Sequence, residues 1–351
     1  MRLPTLLLCL ALLAGACGRS SAATTTTTSA PSTTTTRPTT TTTHPTTTTT
    51  TESAEPLSPL TGLPVSGPEL LDRRAVVVKI DNHPGARPQT GLPEADMILE
   101  LPVEGITRLV GVYHSQPVAV AGPVRSIRPT DWQVAALFGA PIVTSGGQKW
   151  VIANNRDHGA FIIGEVGSPQ TFRSHSRSAP HNLYADIEEI RALADRREVP
   201  DDPPTPIWSF GELPPGADGA THIRLKFSGS LVAGWTWDGE HYLRTTNGAV
   251  HEWIGADDER SQITVDVLVV LGMNTYLAQP PPGGGVARAV ESIGAGDAWI
   301  FAGGRVVEGH WKRTSADEGF TLTDLDGDPL SVPPGLSWVS FFPDTEVPEW
   351  S

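Results

Sequence analysis

Apolar residues occur in short runs along the first half of the folded region, and their spacing predicts alternating strands and helices. Residues 75–81 (AVVVKID) form a continuous run typical of a buried strand. Residues 96–101 and 107–114 predict two further strands joined by a turn. Residues 186–197 place apolar side chains at helical spacing, which predicts an amphipathic helix. This mixture indicates a layered domain of strands and helices.

Another helix is expected after Thr130. Residues 130–133 (Thr-Asp-Trp-Gln) have the spacing of a capping box, in which the Thr and Gln side chains satisfy free backbone N–H groups. Apolar residues then recur at helical spacing until Gly139. Residues 141–145 follow as a short predicted strand.

From residue 221 the pattern changes to short strands separated by turn residues. The predicted strands are residues 221–227, 232–237, 241–245, 263–271, 298–302, 305–312 and 338–342. Pairs such as Asn247-Gly248 are typical of hairpin turns. The predicted fold class is α+β, with a mixed α/β N-terminal domain followed by a mostly antiparallel β C-terminal domain. For the C-terminal part we expect a small sandwich or a partly open barrel.

The first 17 residues predict an exported protein that carries a lipid. Residues 1–16 contain one basic residue, Arg2, then an apolar run and a small-residue stretch, which is the layout of a secretory signal peptide. Cys17 follows directly and is the predicted lipidation site. The alternative is an ordinary signal peptide with a chance cysteine. A transmembrane helix is not expected, because the apolar run is shorter than a membrane span. The predicted location is the cell membrane, lipid-anchored, at its extracytoplasmic face.

A threonine-rich segment separates Cys17 from the folded region. Of the 28 residues from 24 to 51, 20 are threonine, so the segment offers too little apolar surface to fold and is expected to be a disordered tether. Counted from Gly18 to Pro56, the 39 residues of the tether reach at most about 120 Å at about 3.1 Å per residue. The predicted order is a signal peptide at residues 1–16, the tether at 17–56, an α/β domain at 57–200, a proline-rich linker at 201–220 and a β domain at 221–345.

The charge of the chain limits its partners. The formal net charge is −14, which argues against nucleic acid, because nucleic-acid binding depends on cationic side chains that neutralise phosphates. The predicted membrane contact is therefore the lipid. No cofactor and no metal are predicted, since the two cysteines, Cys9 and Cys17, lie in the leader and at the lipidation site.

Polar residues concentrate at the ends of the N-terminal strands, where open α/β sheets place their ligand crevice. Arg125 and Arg128 stand just before the predicted helix at Thr130, and two guanidiniums beside a helix start suit a phosphate or a carboxylate. The candidate ligand-binding residues are Arg125, Arg128, Arg108, Asp81, Asn82, Glu104, His181 and Asn182.

Other roles remain open for these residues. The arginines can instead pair with Asp81, Glu100 or Glu104 and brace the fold. His181 precedes a predicted helix, where a hydrogen bond that fixes the loop is typical. Asp81, Glu104 or His181 would be the acid or base if the protein were an envelope enzyme.

Seven segments resemble the YerB-like lipoproteins, a two-domain bacterial family of unknown function. The N-terminal segments are PLTGLP (59–64), KIDNHPGARPQTGLPEAD (79–96), VEGITR (103–108), GPVRSIRP (122–129) and RSAPHNLY (177–184). The C-terminal segments are GAGDAWIFAGGRVVEGHWKR (294–313) and TLTDLDGDPLSVPPGLSWVSFFP (321–343). The resemblance implies a two-domain lipoprotein at the outer face of the membrane, with no agreed catalytic residues.

The predicted function is that of a cell-envelope ligand-binding or scaffold protein with an arginine-lined anion pocket. Its expected ligand is a cell-wall glycan or an anionic small molecule. The alternative is an enzyme that acts on a phosphorylated or glycan substrate of the envelope.

Lipid anchoring can be tested at the proposed lipidation site. Cys17→Ala should move the protein from the membrane fraction to the soluble exported fraction, because the chain loses its lipid acceptor. Cell fractionation and immunoblotting measure the distribution. Cys9→Ala is the matched control and should leave the protein at the membrane; membrane association of the Cys17→Ala variant would contradict the prediction.

Overall fold

A computed structural model describes residues 55–65, 67–255 and 258–351 of the protein. The predicted signal peptide, the lipidation site Cys17 and nearly all of the tether therefore lie outside the described residues. Within the described part, no helix is both long and apolar enough to cross a lipid bilayer.

The described chain contains three α-helices and two 3₁₀ turns. The helices are α1 (Asp131–Leu137), α2 (Lys149–Asp157) and α3 (Ile187–Arg196), and the 3₁₀ turns are Pro68–Leu70 and Pro84–Ala86. Helix α3 confirms the predicted amphipathic helix, and the Asp186 side chain caps it by accepting from Glu189 N at 3.0 Å. Helix α2 was not predicted, because only Val151 and Asn155 of its nine residues are buried and the apolar periodicity is weak.

The predicted capping box at the start of α1 is wrong. The Thr130 side chain makes no capping hydrogen bond and instead accepts from Val290 N at 3.2 Å. Gln133 Oε1 accepts from the Ser292 hydroxyl at 2.6 Å. Contacts with the C-terminal half of the chain therefore replace the local ones.

The strands of the N-terminal part are short, apart from three of six or seven residues. They are β1 (Val76–Asp81), β2 (Gln89–Thr90), β3 (Met97–Pro102), β4 (Thr107–Tyr113), β5 (Val120–Ala121), β6 (Ile142–Val143), β7 (Ile162–Ile163), β8 (Thr171–Arg173) and β9 (Leu183–Asp186). Strands β1, β3, β4 and β6 confirm the predicted strands of this region.

The remaining strands belong to the linker and the C-terminal part. They are β10 (Asp218–Gly219), β11 (His222–Ser228), β12 (Leu231–Trp237), β13 (Tyr242–Thr246), β14 (Ala249–Val250), β15 (Glu252–Ile254), β16 (Arg260–Gln262), β17 (Thr264–Val265), β18 (Val267–Met273), β19 (Thr275–Ala278), β20 (Ala287–Val290), β21 (Gly294–Ala302), β22 (Arg305–Arg313), β23 (Thr321–Asp324), β24 (Ser337–Pro343) and β25 (Glu349–Trp350). The α+β class, with a mostly antiparallel C-terminal part, is confirmed.

One sheet of 11 strands contains strands from both halves of the chain, in the order β10-β22-β21-β18-β24-β3-β4-β1-β6-β7, with β23 paired to β22. The halves meet where β24 pairs in parallel with β3, from Ser337 opposite Met97 to Ser340 opposite Glu100. The C-terminal strands thus do not form a sandwich or barrel of their own. Five of them, β11–β14 and β25, build a second sheet that β17 joins.

Both faces of the large sheet are buried, which explains why its strands are continuously apolar. Because side chains alternate along a strand, Val76, Val78 and Ile80 enter one core and Val77 enters the other. Helix α3 covers the first face with the second sheet, and α1 and α2 cover the opposite face.

A buried ion pair joins the two halves. Glu100 on β3 and Arg244 on β13 are fully buried, and Arg244 Nη2 donates to Glu100 Oε1 at 2.7 Å. The guanidinium lies against two indoles, 4.9 Å from the ring centre of Trp235 and 4.3 Å from that of Trp338. Glu100 also accepts from Thr107 Oγ1 at 2.7 Å and from Trp338 Nε1 at 2.9 Å. The carboxylate is thus held by donors from three strands.

Removing this carboxylate should be costly. Glu100→Leu leaves the Arg244 guanidinium buried without its counter-charge, and we expect the free energy of unfolding to fall by about 3–5 kcal/mol. Urea denaturation of the full chain measures the loss.

An exposed pair of the same chemistry is the control. Arg224 and Glu349 are 2.8 Å apart at the surface, so Glu349→Leu should cost less than about 1 kcal/mol. Equal losses in the two variants would contradict the prediction.

Candidate functional site

The candidate residues gather where β1 and β6 end. These two strands are parallel, so their carboxyl ends meet at one edge of the large sheet. The segment before α1 crosses this edge: Arg125 N donates to Lys79 O at 2.8 Å, and Ser145 N donates to Arg125 O at 3.1 Å. Arg125 is thereby fixed between the two strand ends.

Asp81, the last residue of β1, is fully buried and surrounded by donors. Its Oδ2 lies 2.7 Å from His181 Nδ1 and 3.2 Å from Arg125 Nε. Its Oδ1 accepts from His83 N at 3.1 Å. A carboxylate can only accept, so His181 carries a proton on Nδ1 and, when neutral, a lone pair on Nε2. Asp81 therefore orients the imidazole with its basic nitrogen directed away from the carboxylate.

A second imidazole stacks on the first. The ring centres of His83 and His181 are 4.3 Å apart and their planes differ by 11°. Nδ1 of His83 accepts from Gly85 N at 3.1 Å, so a neutral His83 carries its proton on Nε2. The stack thus presents one donor and one acceptor. His83 was not among the predicted site residues, since no spacing along the chain indicates that these rings meet.

Arg125 and Arg128 differ in how fully their guanidiniums are paired. Arg128 donates from Nε to Glu104 Oε1 at 3.1 Å and from Nη2 to Glu104 Oε2, which makes a bidentate pair. Arg125 is a quarter exposed, and its Nε lies 3.2 Å from Asp81 Oδ2 in an ion pair without hydrogen-bond geometry. Its two terminal nitrogens donate no hydrogen bond to any residue that the structure describes. Pairing with a carboxylate, the alternative role, thus engages the guanidinium of Arg128 fully and that of Arg125 only in part.

Glu104 is held as an anion. Burial raises its pKa, but the hydrogen bond and the positive charge of Arg128 outweigh burial and bring the pKa below its usual value. A cavity of about 470 Å³ adjoins the pair and reaches Gln148 at the start of α2. A carboxylate in this state is suited to fix an arginine rather than to donate a proton.

Arg108 lies deeper at the same edge. Its Nη1 donates to Ser126 O at 2.9 Å, whereas its buried Nε lacks a hydrogen-bond partner in the described part of the chain. Burial lowers the pKa of Arg108 to about 9, and the positive charge of Arg128 adds to this effect. Arg108 is therefore a cation that its surroundings neutralise incompletely.

Positive side chains outnumber negative ones at this edge. Lys79 Nζ donates to Asp131 Oδ1 at 2.9 Å, and both side chains are buried. This pair was missed, although a lysine inside an apolar strand indicates a buried partner. The cations are Lys79, Arg108, Arg125 and Arg128, and the carboxylates are Asp81, Glu104 and Asp131. Four against three leaves one excess positive charge, in a protein whose net charge is −14.

The two predicted asparagines are engaged by neighbouring residues. Asn82 Nδ2 donates to Thr107 Oγ1 at 2.7 Å, and its Oδ1 accepts from Arg87 Nε at 3.1 Å. Asn182 donates from Nδ2 to Ser174 O at 2.9 Å and to Arg177 O at 3.0 Å. They position the backbone beside Asp81 and His181 and are not available to a ligand.

Among the described residues, the side chains at this edge do not form a set of metal ligands. Across residues 55–65, 67–255 and 258–351, no three His, Cys, Asp or Glu side chains cluster as ligands of one ion. The histidines at the edge bind Asp81 and a backbone N–H instead.

Comparisons with known proteins agree with the resemblance seen in the sequence. A protein of Bacillus subtilis (strain 168) named "Putative lipoprotein YerB" is 26% identical over 306 residues, which cover 83% of this chain and 87% of that protein. The fold is similar to the crystal structure of YerB protein from Bacillus subtilis, with a TM-score of 0.72 at 23% identity, over 85% of this chain and 100% of that chain.

Family comparisons cover both halves of the folded region. Residues 60–200 match the family described as "Protein of unknown function (DUF3048) N-terminal domain", and residues 223–339 match its C-terminal domain. The predicted YerB-like resemblance is confirmed. With both domains present in order, this chain belongs to the DUF3048 family.

Proposed function

We propose that this protein is a lipid-anchored protein of the cell envelope that binds an anionic ligand at the Arg125 edge, defined here as Asp81, His83, Arg108, Arg125 and His181. The observation that carries the proposal is the Arg125 guanidinium, which is fixed at a strand end, a quarter exposed and unpaired at both terminal nitrogens among the described residues. Such a planar fork matches the oxygens of a phosphate or carboxylate.

The electrostatics of the edge support an anion. Arg125 offsets the negative charge of Asp81, and Arg128 offsets that of Glu104. The positive charge of buried Arg108 is therefore not matched by a carboxylate of its own. A bound anion would supply the missing negative charge. His83 adds an N–H donor through Nε2. Attraction of this kind is local, because the protein as a whole is acidic.

Lipid anchoring rests on separate support. Cys17 follows a predicted signal peptide, and a relative that aligns over 83% of this chain is named a lipoprotein. Anchored at Cys17 on the extracytoplasmic face, the folded part would meet the phosphates of lipid-linked precursors and the anionic polymers of the wall. These are the ligand classes that we propose.

One observation favours an enzyme as a second candidate. Asp81 holds His181 in the orientation that a general base requires. Nδ1 faces the carboxylate, and Nε2 carries the lone pair. Neither Asp81 nor Glu104 is suited to that role, because the first is buried and the second is held in a bidentate ion pair. His181 would then activate water against an anionic substrate held by Arg125.

Anion binding can be measured with inorganic pyrophosphate by isothermal titration calorimetry on the mature full-length chain in detergent. We expect Arg125→Ala to weaken the affinity about tenfold or more, since charge-assisted bonds contribute about 1.5–3 kcal/mol each. Arg125→Lys should recover only part of it, because an ammonium cannot bind two oxygens in one plane.

Arg156→Ala is the matched control, because Arg156 of α2 is half exposed and forms an ion pair with Glu165 at 3.5 Å. It should bind pyrophosphate like the unaltered protein. Unchanged affinity in Arg125→Ala, with the thermal midpoint retained, would refute the anion site.

The two candidate functions differ in turnover. A binding protein should not hydrolyse bis(p-nitrophenyl) phosphate, whereas an enzyme should, and its rate should fall at least about 100-fold in His181→Asn. If the unaltered protein hydrolyses this substrate and His181→Asn does not, the enzymatic function is supported in place of the binding function.

A further inference from the structure

A cavity separate from the Arg125 edge is lined by an exposed phenylalanine, Phe172, and a buried tyrosine, Tyr184. Strands β8 and β9 are antiparallel, and their register places Phe172 directly opposite Tyr184. The ring centres are 5.9 Å apart and the planes differ by 21°, so the rings stack and the buried Tyr184 ring supports the exposed Phe172 ring. Phe172 is 47% exposed. An aromatic ring so exposed on a strand contributes little to the core.

Polar groups stand at the border of this aromatic surface. The cavity measures about 550 Å³ and contains Ser174 and Ser176 on the Phe172 side and Arg260 of β16 across from it. The two serine hydroxyl oxygens are 2.7 Å apart. The site therefore combines one flat apolar surface with a short row of hydroxyl groups.

The border is fixed before any ligand arrives. Arg177 donates from Nη2 to Pro88 O at 2.6 Å and from Nη1 to Ala86 O. The Asn182 side chain donates to Ser174 O and Arg177 O from the other end of the same loop. These bonds hold the serines in place, and they also occupy Arg177, which is thus not an anion ligand.

We propose that this cavity, the Phe172 cavity, binds a carbohydrate, with one pyranose ring stacked on the exposed ring of Phe172. A pyranose has an apolar face of C–H groups and an edge of hydroxyls, which matches a flat aromatic surface bordered by hydroxyl and guanidinium groups. The volume falls within the range of about 300–1,000 Å³ typical of small-ligand sites and suits one or two sugar rings.

A peptide fits the same place less well. Strand β8 is the edge of its sheet, but it has three residues, too few to pair with an added strand over a useful length. The carbohydrate site uses neither Arg125 nor His181. The carbohydrate site can therefore be tested independently of the proposed anion site.

The test is saccharide binding by the mature full-length protein in detergent, measured by calorimetry with three probes: the β-1,4-linked tetramer of N-acetylglucosamine, cellotetraose and maltotetraose. We expect at least one to bind, and Phe172→Ala to weaken it about tenfold. Phe161→Ala is the matched control, because Phe161 is 45% exposed but lies outside this cavity. Arg125→Ala should leave saccharide binding unchanged.

Three outcomes would overturn the proposal. The first is that none of the three saccharides binds. The second is equal affinity in Phe172→Ala and the unaltered protein. The third is that an extended peptide library binds in place of the saccharides and is lost in Phe172→Ala, which would assign the cavity to peptides.

Discussion

The contact between Glu100 and Arg244 is the constraint on which the arrangement of the two halves depends. Two fully buried charges from opposite halves can be tolerated only when each is the other's partner. The indoles of Trp235 and Trp338 both contact the guanidinium, and burial with the positive charge of Arg244 keeps the pKa of His251 well below its usual value. Neutral His251 can then accept from Arg244 Nε at 3.2 Å.

This buried network continues to the Arg125 edge. His251 Nε2 lies 3.0 Å from Gln89 Oε1, and Gln89 Nε2 donates to the backbone oxygen of Asp81 at 3.0 Å. The strand end that presents Asp81 to His181 is therefore braced by the C-terminal half. The N-terminal domain supplies the polar side chains of the edge, and the C-terminal domain supplies part of the support that holds them.

Local patterns predicted the elements well and their partners poorly. The apolar run of β1, the helix α3 and the concentration of Asp81, Arg125 and His181 at strand ends are visible in the sequence, because each reflects neighbours along the chain. The stack of His83 on His181 and the hydrogen bond from the Ser292 hydroxyl to Gln133 are not, because they depend on tertiary contacts. The capping box failed for this reason: a distant partner displaced a local one.

The pairing of β24 with β3 has a consequence for how the chain is assembled. Strand β3 receives its second neighbour from residues 337–340, near the end of the chain. Until β24 is made, the N-terminal half has an open apolar sheet edge at Met97, Ile98 and Leu99, which is a site for mispairing. A chain cut short before residue 337 would keep every predicted ligand-binding residue and still leave that edge uncovered.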